Sequence, residues 1–155
     1  MIRHALEKDI PKIEDLLLQV CLVHHDGRPD IFKGGCRKYT DSEILAILAD
    51  ESTPVFVFDA EDEGVLGYAF CVIKEIKGDN ILADMKTLYI DDLCVDDGSR
   101  GKHIGAALYS FVREYAKEIG CYSVTLNVWE CNPTAKKFYE KMGLSVQKTV
   151  MESIV

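Results

Sequence analysis

The stretch "DDGSRGKHIGAALYSF", residues 96–111, sets acids, glycines and basic side chains ahead of an apolar repeat of helical spacing. Ile104, Leu108 and Phe111 begin that repeat, Tyr115 and Ile119 continue it, and Gly120 supplies a stop. A helix N-terminus carries unpaired N–H groups and the positive end of the helix dipole, so a loop that bares its backbone there attracts phosphate. Gly101 can take a positive φ or let a ligand come close. Gly105 and Ala106 keep the first turn free of bulk, and Arg100 and Lys102 add positive charge. The loop lacks the GxxxxGK pattern of one familiar nucleotide site and the GxGxxG pattern of another. A helix that merely happens to begin with glycine and basic residues is the structural alternative.

Working upstream, "LYIDDLCV" reads as a strand, preceded by "PVFVFDA" and "VLGYAFCVIKEI", which flank the acidic turn "EDEG". These three segments make an antiparallel meander. Before them, a short strand near residues 2–6 leads to Asp9 as the cap of a helix bearing Ile10, Ile13, Leu16, Leu17 and Val20. A long loop is expected from Val23 to Gly35, and Thr40 with Glu43 forms a capping box for a second helix. Downstream, "CYSVTLNVW" is a strand and "NPTAKKFYEKMG" a short helix with Asn132 as cap and Pro133 in its first turn. A last strand is expected over 144–150. The fold class is therefore α+β, a mixed sheet flanked by helices.

The chain of 155 residues is sized for one domain, 1–155, and its 48% hydrophobic content can bury a core. No apolar window approaches a membrane span, and the acids near the N-terminus do not suit a secretory signal, so a cytoplasmic location is expected. A net charge of -8 argues against a nucleic-acid surface. It accommodates a cationic partner, as it also accommodates simple solubility. Six scattered cysteines show neither CxxC nor zinc-type spacing and are expected to be reduced, buried apolar groups. His24, His25 and Asp26 are adjacent potential ligands, but neighbouring histidines usually diverge, and no metal is expected.

Two motifs now coincide. Arg100, His103 and Gly105 occupy the marked positions of Arg/Gln-x-x-Gly-x-Gly/Ala, with histidine in place of the middle glycine. Asn132, Ala135, Phe138, Tyr139 and Gly143 match Asn-x-x-Ala-x-x-Phe-Tyr-x-x-x-Gly. The chain thus resembles the GNAT superfamily of acyl-CoA-dependent N-acetyltransferases. The resemblance implies a GNAT-like, mostly antiparallel sheet, splayed between its fourth and fifth strands. It also implies acetyl-CoA as cosubstrate, with Arg100, Gly101, Lys102, His103, Ile104, Gly105 and Ala106 around the pyrophosphate. Backbone groups of Leu93, Cys94 and Val95 would hold the pantetheine arm and thioester, and Asn132 would reach the arm.

His103 admits three readings: right-handed geometry with the side chain turned away, which is preferred; a strained positive φ; or an imidazole that itself faces phosphate. Acetyl transfer needs a neutral amine, a stabilised oxyanion and a proton for the thiolate. Strict alternation places Asp91 with Tyr89, Leu93 and Val95, and Asp92 with Ile90 and Cys94. By the resemblance, Asp91 is the candidate base, with Asp92 second, and Tyr139 is the candidate acid. Both acids could instead be solvated groups at a strand bend, and Tyr139 could be core packing. No feature activates Cys94 as a nucleophile, so direct transfer is expected. The acceptor expected is a small cationic primary amine, chosen in part by the loop "HHDGRPDIFK". The alternatives are a protein N-terminal or lysine acetyltransferase, or a non-catalytic acyl-CoA sensor. The last strand offers an edge for homodimer pairing.

Overall fold

A computed structural model describes residues 1–155. Five strands, β1 (Ile2–His4), β2 (Val55–Asp59), β3 (Val65–Ile76), β4 (Met85–Val95) and β5 (Ser123–Leu126), form one sheet in sequential order. Pairing is antiparallel from β1 to β4 and parallel between β4 and β5. Helices α1 (Ile10–Gly27) and α2 (Asp41–Leu48) precede β2, α3 (Ile104–Glu118) connects β4 to β5, and α4 (Pro133–Lys141) follows β5.

Alternation along the strands divides the core into two layers. Ile13, Leu16 and Leu17 of α1 and Ile44 of α2 cover Val55, Val57, Tyr68 and Phe70 on one face. Tyr109, Val112 and Ala116 of α3 cover Phe56, Ala69, Cys71, Leu88 and Ile90 on the other. The buried stripe of α3 thus runs through Ile104, Leu108, Val112 and Ala116, turned slightly from the expected one, while Phe111, Tyr115 and Ile119 pack at its margin.

The capping box forms as read: Thr40 N–H donates to Glu43 Oε2 (2.8 Å), and Glu43 N–H donates to Thr40 Oγ1 (3.3 Å). Asp9 does not cap α1 through its side chain. Its carboxylate accepts from Leu6 N–H (2.8 Å) and from both Arg3 terminal nitrogens (2.7 and 2.9 Å); burial would raise its pKa, but these bonds, the guanidinium's foremost, hold it below the usual value.

Two local expectations are corrected. Residues 23–27 continue α1, because no breaker intervenes before Gly27; Arg28 N–H then closes the helix on the His24 carbonyl (2.9 Å). A side chain at Gly27 would meet Cys131 Sγ at 2.8 Å, which fixes glycine there. The strand expected over 144–150 is absent. The tail alternates apolar and polar residues, but no strand of the sheet lies beside it to accept a ladder. Val146, Val150, Met151 and Ile154 are exposed, and the tail is tied back by the Glu152 carboxylate on Arg28. The edge on which a homodimer was expected to pair is therefore not formed.

Candidate active site

The site begins with a discontinuity in β4. Its ladder with β3 pairs Ile90 with Cys71 and Asp92 with Phe70, which leaves Asp91 as an extra, unpaired residue, a β-bulge. The parallel ladder with β5 ends at the same point, with Ile90 opposite Leu126, while β4 runs on to Val95. From Asp91 to Val95 the edge of β4 away from β3 has no strand partner. That is the splay, and it bares backbone groups of Leu93, Cys94 and Val95.

The bulge also corrects the facing of the two acids. One inserted residue shifts the parity of alternation, so Ile90 lies in the α3 layer and Cys94 in the α1 layer, not on one face together. Leu93 and Val95 pack towards α3. Both carboxylates meet groups of the α1 and α2 side. Tyr39 donates its hydroxyl to Asp91 Oδ2, and Lys38 Nζ lies 2.8 Å from that oxygen and 3.0 Å from the Asp91 carbonyl. The Tyr39 ring is set by Phe70, with centroids 5.4 Å apart. Asp92 accepts from the buried Tyr68 hydroxyl (3.0 Å), and burial pushes its pKa up to about 6 despite the nearby Lys38 charge and that bond.

Lys38, Tyr39 and Tyr68 were not singled out from sequence. Tyr39 and Lys38 reach Asp91 from a distant segment, so no local pattern announces them. Tyr68 carried a weak signal, since a phenol within an apolar strand needs a partner for its hydroxyl when buried.

The helix end has the free backbone donors that a cradle requires. Ile104, Gly105 and Ala106 precede the first intrahelical bond, which Ala107 N–H donates to the His103 carbonyl (3.0 Å), so their N–H groups are free for an anion. Gly101 has φ 84° and His103 φ 61° with ψ 15°. The preferred reading of His103 is thereby overturned: the residue lies in the left-handed region that favours glycine. Histidine tolerates this region better than most side chains, at a cost of roughly 1–2 kcal/mol. His103→Val is expected to lose about that much stability and to weaken coenzyme binding, whereas His103→Gly keeps both. Thermal unfolding and calorimetric titration decide it, and unaltered binding by the valine variant would show that the turn is not needed.

Arg100 pairs with Asp97 (2.6 Å) and Lys102 with Glu63 (3.1 Å), both at the surface. A Cβ at Gly105 would stand 3.4 Å from Phe138 and 3.5 Å from Val95, ordinary contact distances, so alanine would fit there, and the position lies where α3, α4 and the end of β4 come together. Asn132 caps α4 by accepting from Ala135 N–H (3.2 Å). Tyr139 sits beside Phe138 and Tyr109, and its phenol is raised above the ordinary value by burial first and by the Asp92 charge second. Cys94 is buried with its thiol pushed up to about 12, again by burial first and Asp92 second. His24 stacks on Phe32, and His25 Nδ1 bonds the Phe32 carbonyl (2.8 Å), so both shape the segment after α1.

The paired acids, the free strand edge and the helix N-terminus thus follow one another from β4 into α3, with the Tyr139 phenol close enough to feel the Asp92 charge. A model described as the acetyltransferase (GNAT) family matches residues 23–144. The glucosamine 6-phosphate N-acetyltransferase of Arabidopsis thaliana is 31% identical over 105 residues, covering 57% of this chain and 68% of that protein. A crystal structure of a mutant BH1408 protein from Bacillus halodurans has a TM-score of 0.96 at 31% identity, over 100% of this chain and 99% of the other. An aminoglycoside N-acetyltransferase in complex with CoA shares the fold, with a TM-score of 0.74 at 14% identity over 100% and 98% of the two chains.

Proposed function

The chain belongs to the acetyltransferase (GNAT) family and uses acetyl-CoA as cosubstrate, and from that premise we propose that it acetylates the primary amine of a small cationic molecule by direct attack. The observation that carries this reading is the coincidence of the Asp91 bulge with the end of the β4–β5 ladder. An acid, an acceptor approach and an open strand edge meet there.

In this reading the helix N-terminus of α3, with Gly101 and His103 turning the backbone, holds the pyrophosphate of the coenzyme, assisted by Arg100 and Lys102. The free β4 edge at Leu93, Cys94 and Val95 positions the arm and donates to the thioester oxygen as charge develops on it. Asn132 bounds the other side of the arm. Asp91 draws the ammonium of the acceptor, displaces Lys38, and takes the proton directly or through water. The neutral amine forms its bond to the carbonyl carbon, the carbon–sulfur bond breaks, Tyr139 gives its proton to the departing sulfur, and the second proton lost by the nitrogen returns through water to the Tyr139 phenolate. Cys94 stays a thiol and forms no acetyl-enzyme.

A small acceptor is favoured by the segment 28–40, whose Lys38 and Tyr39 lie against Asp91 where an extended peptide would need an open groove. A glucosamine 6-phosphate N-acetyltransferase and an aminoglycoside N-acetyltransferase stand among the similar proteins, which supports an amine on a compact molecule. Tyr139→Phe tests the proton donor. Turnover is expected to fall about 10²-fold with acetyl-CoA affinity unchanged; turnover equal to the parent would remove Tyr139 from the mechanism.

A further inference from the structure

Cys21 on α1 and Cys36 in the segment 28–40 are 15 positions apart in sequence, yet their Sγ atoms stand 3.1 Å apart. Both thiols also point at the Lys33 carbonyl, at 3.5 and 3.3 Å. Each is only half-buried, so small solutes reach it, whereas Cys71 and Cys94 are enclosed in the core. Cys121 and Cys131 have no sulfur neighbour in contact. The pair is therefore placed as a dithiol near the surface, and disulfides formed at exposed positions are the labile, regulatory kind.

The position of the pair gives it a consequence. Cys36 immediately precedes three residues that anchor the segment: Arg37, which pairs with Glu14 of α1, and Lys38 and Tyr39, which both hold Asp91. The Lys38–Asp91 contact lies at the surface, and a surface ion pair contributes little by itself. The segment can therefore withdraw when an acceptor ammonium arrives. A covalent link from Cys36 to α1 removes that freedom one residue away from the anchors.

We propose that Cys21 and Cys36 form a reversible disulfide that fastens the segment 28–40 over Asp91 and restricts entry of the amine. The inference rests on the reading of Asp91 as the acceptor-facing acid. The oxidant is a low-molecular-weight disulfide. One cysteine, as thiolate, attacks it and releases the first small thiol. The second cysteine then displaces the other half from the mixed disulfide. Two protein S–H bonds are lost and one S–S bond forms, and the two electrons and two protons reside in two molecules of small thiol.

The test treats the whole protein with oxidised glutathione and follows three readouts. Intact mass and peptide mapping report a link between Cys21 and Cys36. Tryptic cleavage after Lys33, Arg37 and Lys38 reports freedom of the segment. Steady-state kinetics report the acceptor KM. Loss of two hydrogens, slower cleavage and an acceptor KM raised about tenfold are expected, with acetyl-CoA affinity unchanged and dithiothreitol restoring the starting state. Cys21→Ser and Cys36→Ser are expected to keep full reduced activity and to ignore the oxidant. Failure of the 21–36 link to form, or a link that leaves acceptor KM unchanged, overturns the proposal. Mass and cleavage are read without acetyl transfer. A protected segment together with a fully active Asp91→Asn variant would therefore overturn the reading of Asp91 and leave the disulfide standing.

Discussion

Asp91→Asn is expected to lower kcat/KM for the acceptor by roughly 10²–10³-fold while acetyl-CoA binds as before. The carboxylate is the only group of the bulge that both faces the acceptor segment and retains solvent contact, with a fifth of its side chain exposed. Asparagine preserves its size and can still accept the Tyr39 hydroxyl bond, so the substitution removes charge and basicity with little loss of shape. The acceptor must lose a proton before its nitrogen can attack, and no histidine lies at the bulge to do this work instead. Coenzyme affinity is the control, because the cradle proposed at α3 uses other residues. A variant with full acceptor turnover would transfer the role of base to Asp92 or to solvent.

Asp92→Asn is expected to stabilise the fold at neutral pH, while its neighbour's substitution leaves stability almost unaltered. Burial raises the Asp92 pKa from an ordinary 3.8 to about 6, so the folded state binds its proton more tightly than the unfolded state does. Between these values the folded chain holds a proton that the unfolded chain has released, and stability falls as pH rises. The penalty is absent below about pH 4 and complete above about pH 7, where it is of order 3 kcal/mol for a shift of this size. Asparagine carries no such penalty and keeps an acceptor for Tyr68. Denaturant unfolding at several pH values should show the two proteins equally stable in acid and the variant ahead at neutrality. Parallel curves across that window would place the Asp92 charge in contact with more solvent than the structure gives it.

Local chemistry was the most legible part of the sequence. The Thr40–Glu43 box, the Asn132 cap and the stop at Gly120 each depend on residues within one helical turn, and each stands where it was read. The interruption of an apolar strand by Asp91 and Asp92 signalled a bulge or cleft for a physical reason, the cost of placing carboxylates in a sheet interior. Their facing was misread because a bulge inserts one residue, and alternation counted along the strand cannot reveal the insertion. Lys38, Tyr39 and the Cys21–Cys36 contact were invisible for a different reason, since each joins segments whose meeting is decided by packing of α1 on the sheet. The left-handed His103 could be posed as a question from the missing glycine. Only the path of the chain into α3 answers it, as only the absence of a neighbouring strand explains why 144–150 stays without a ladder.

Release of the coenzyme thiol from acetyl-CoA, followed across a panel of amines, decides whether the chain acetylates a small acceptor. The panel should include an amino sugar phosphate, an aminoglycoside, a polyamine and a lysine-containing peptide. Thiol release is expected to depend on a small primary amine, with the acetylated amine recovered in equal amount. Release driven by the peptide alone, or by no amine while acetyl-CoA binds, would contradict that reading.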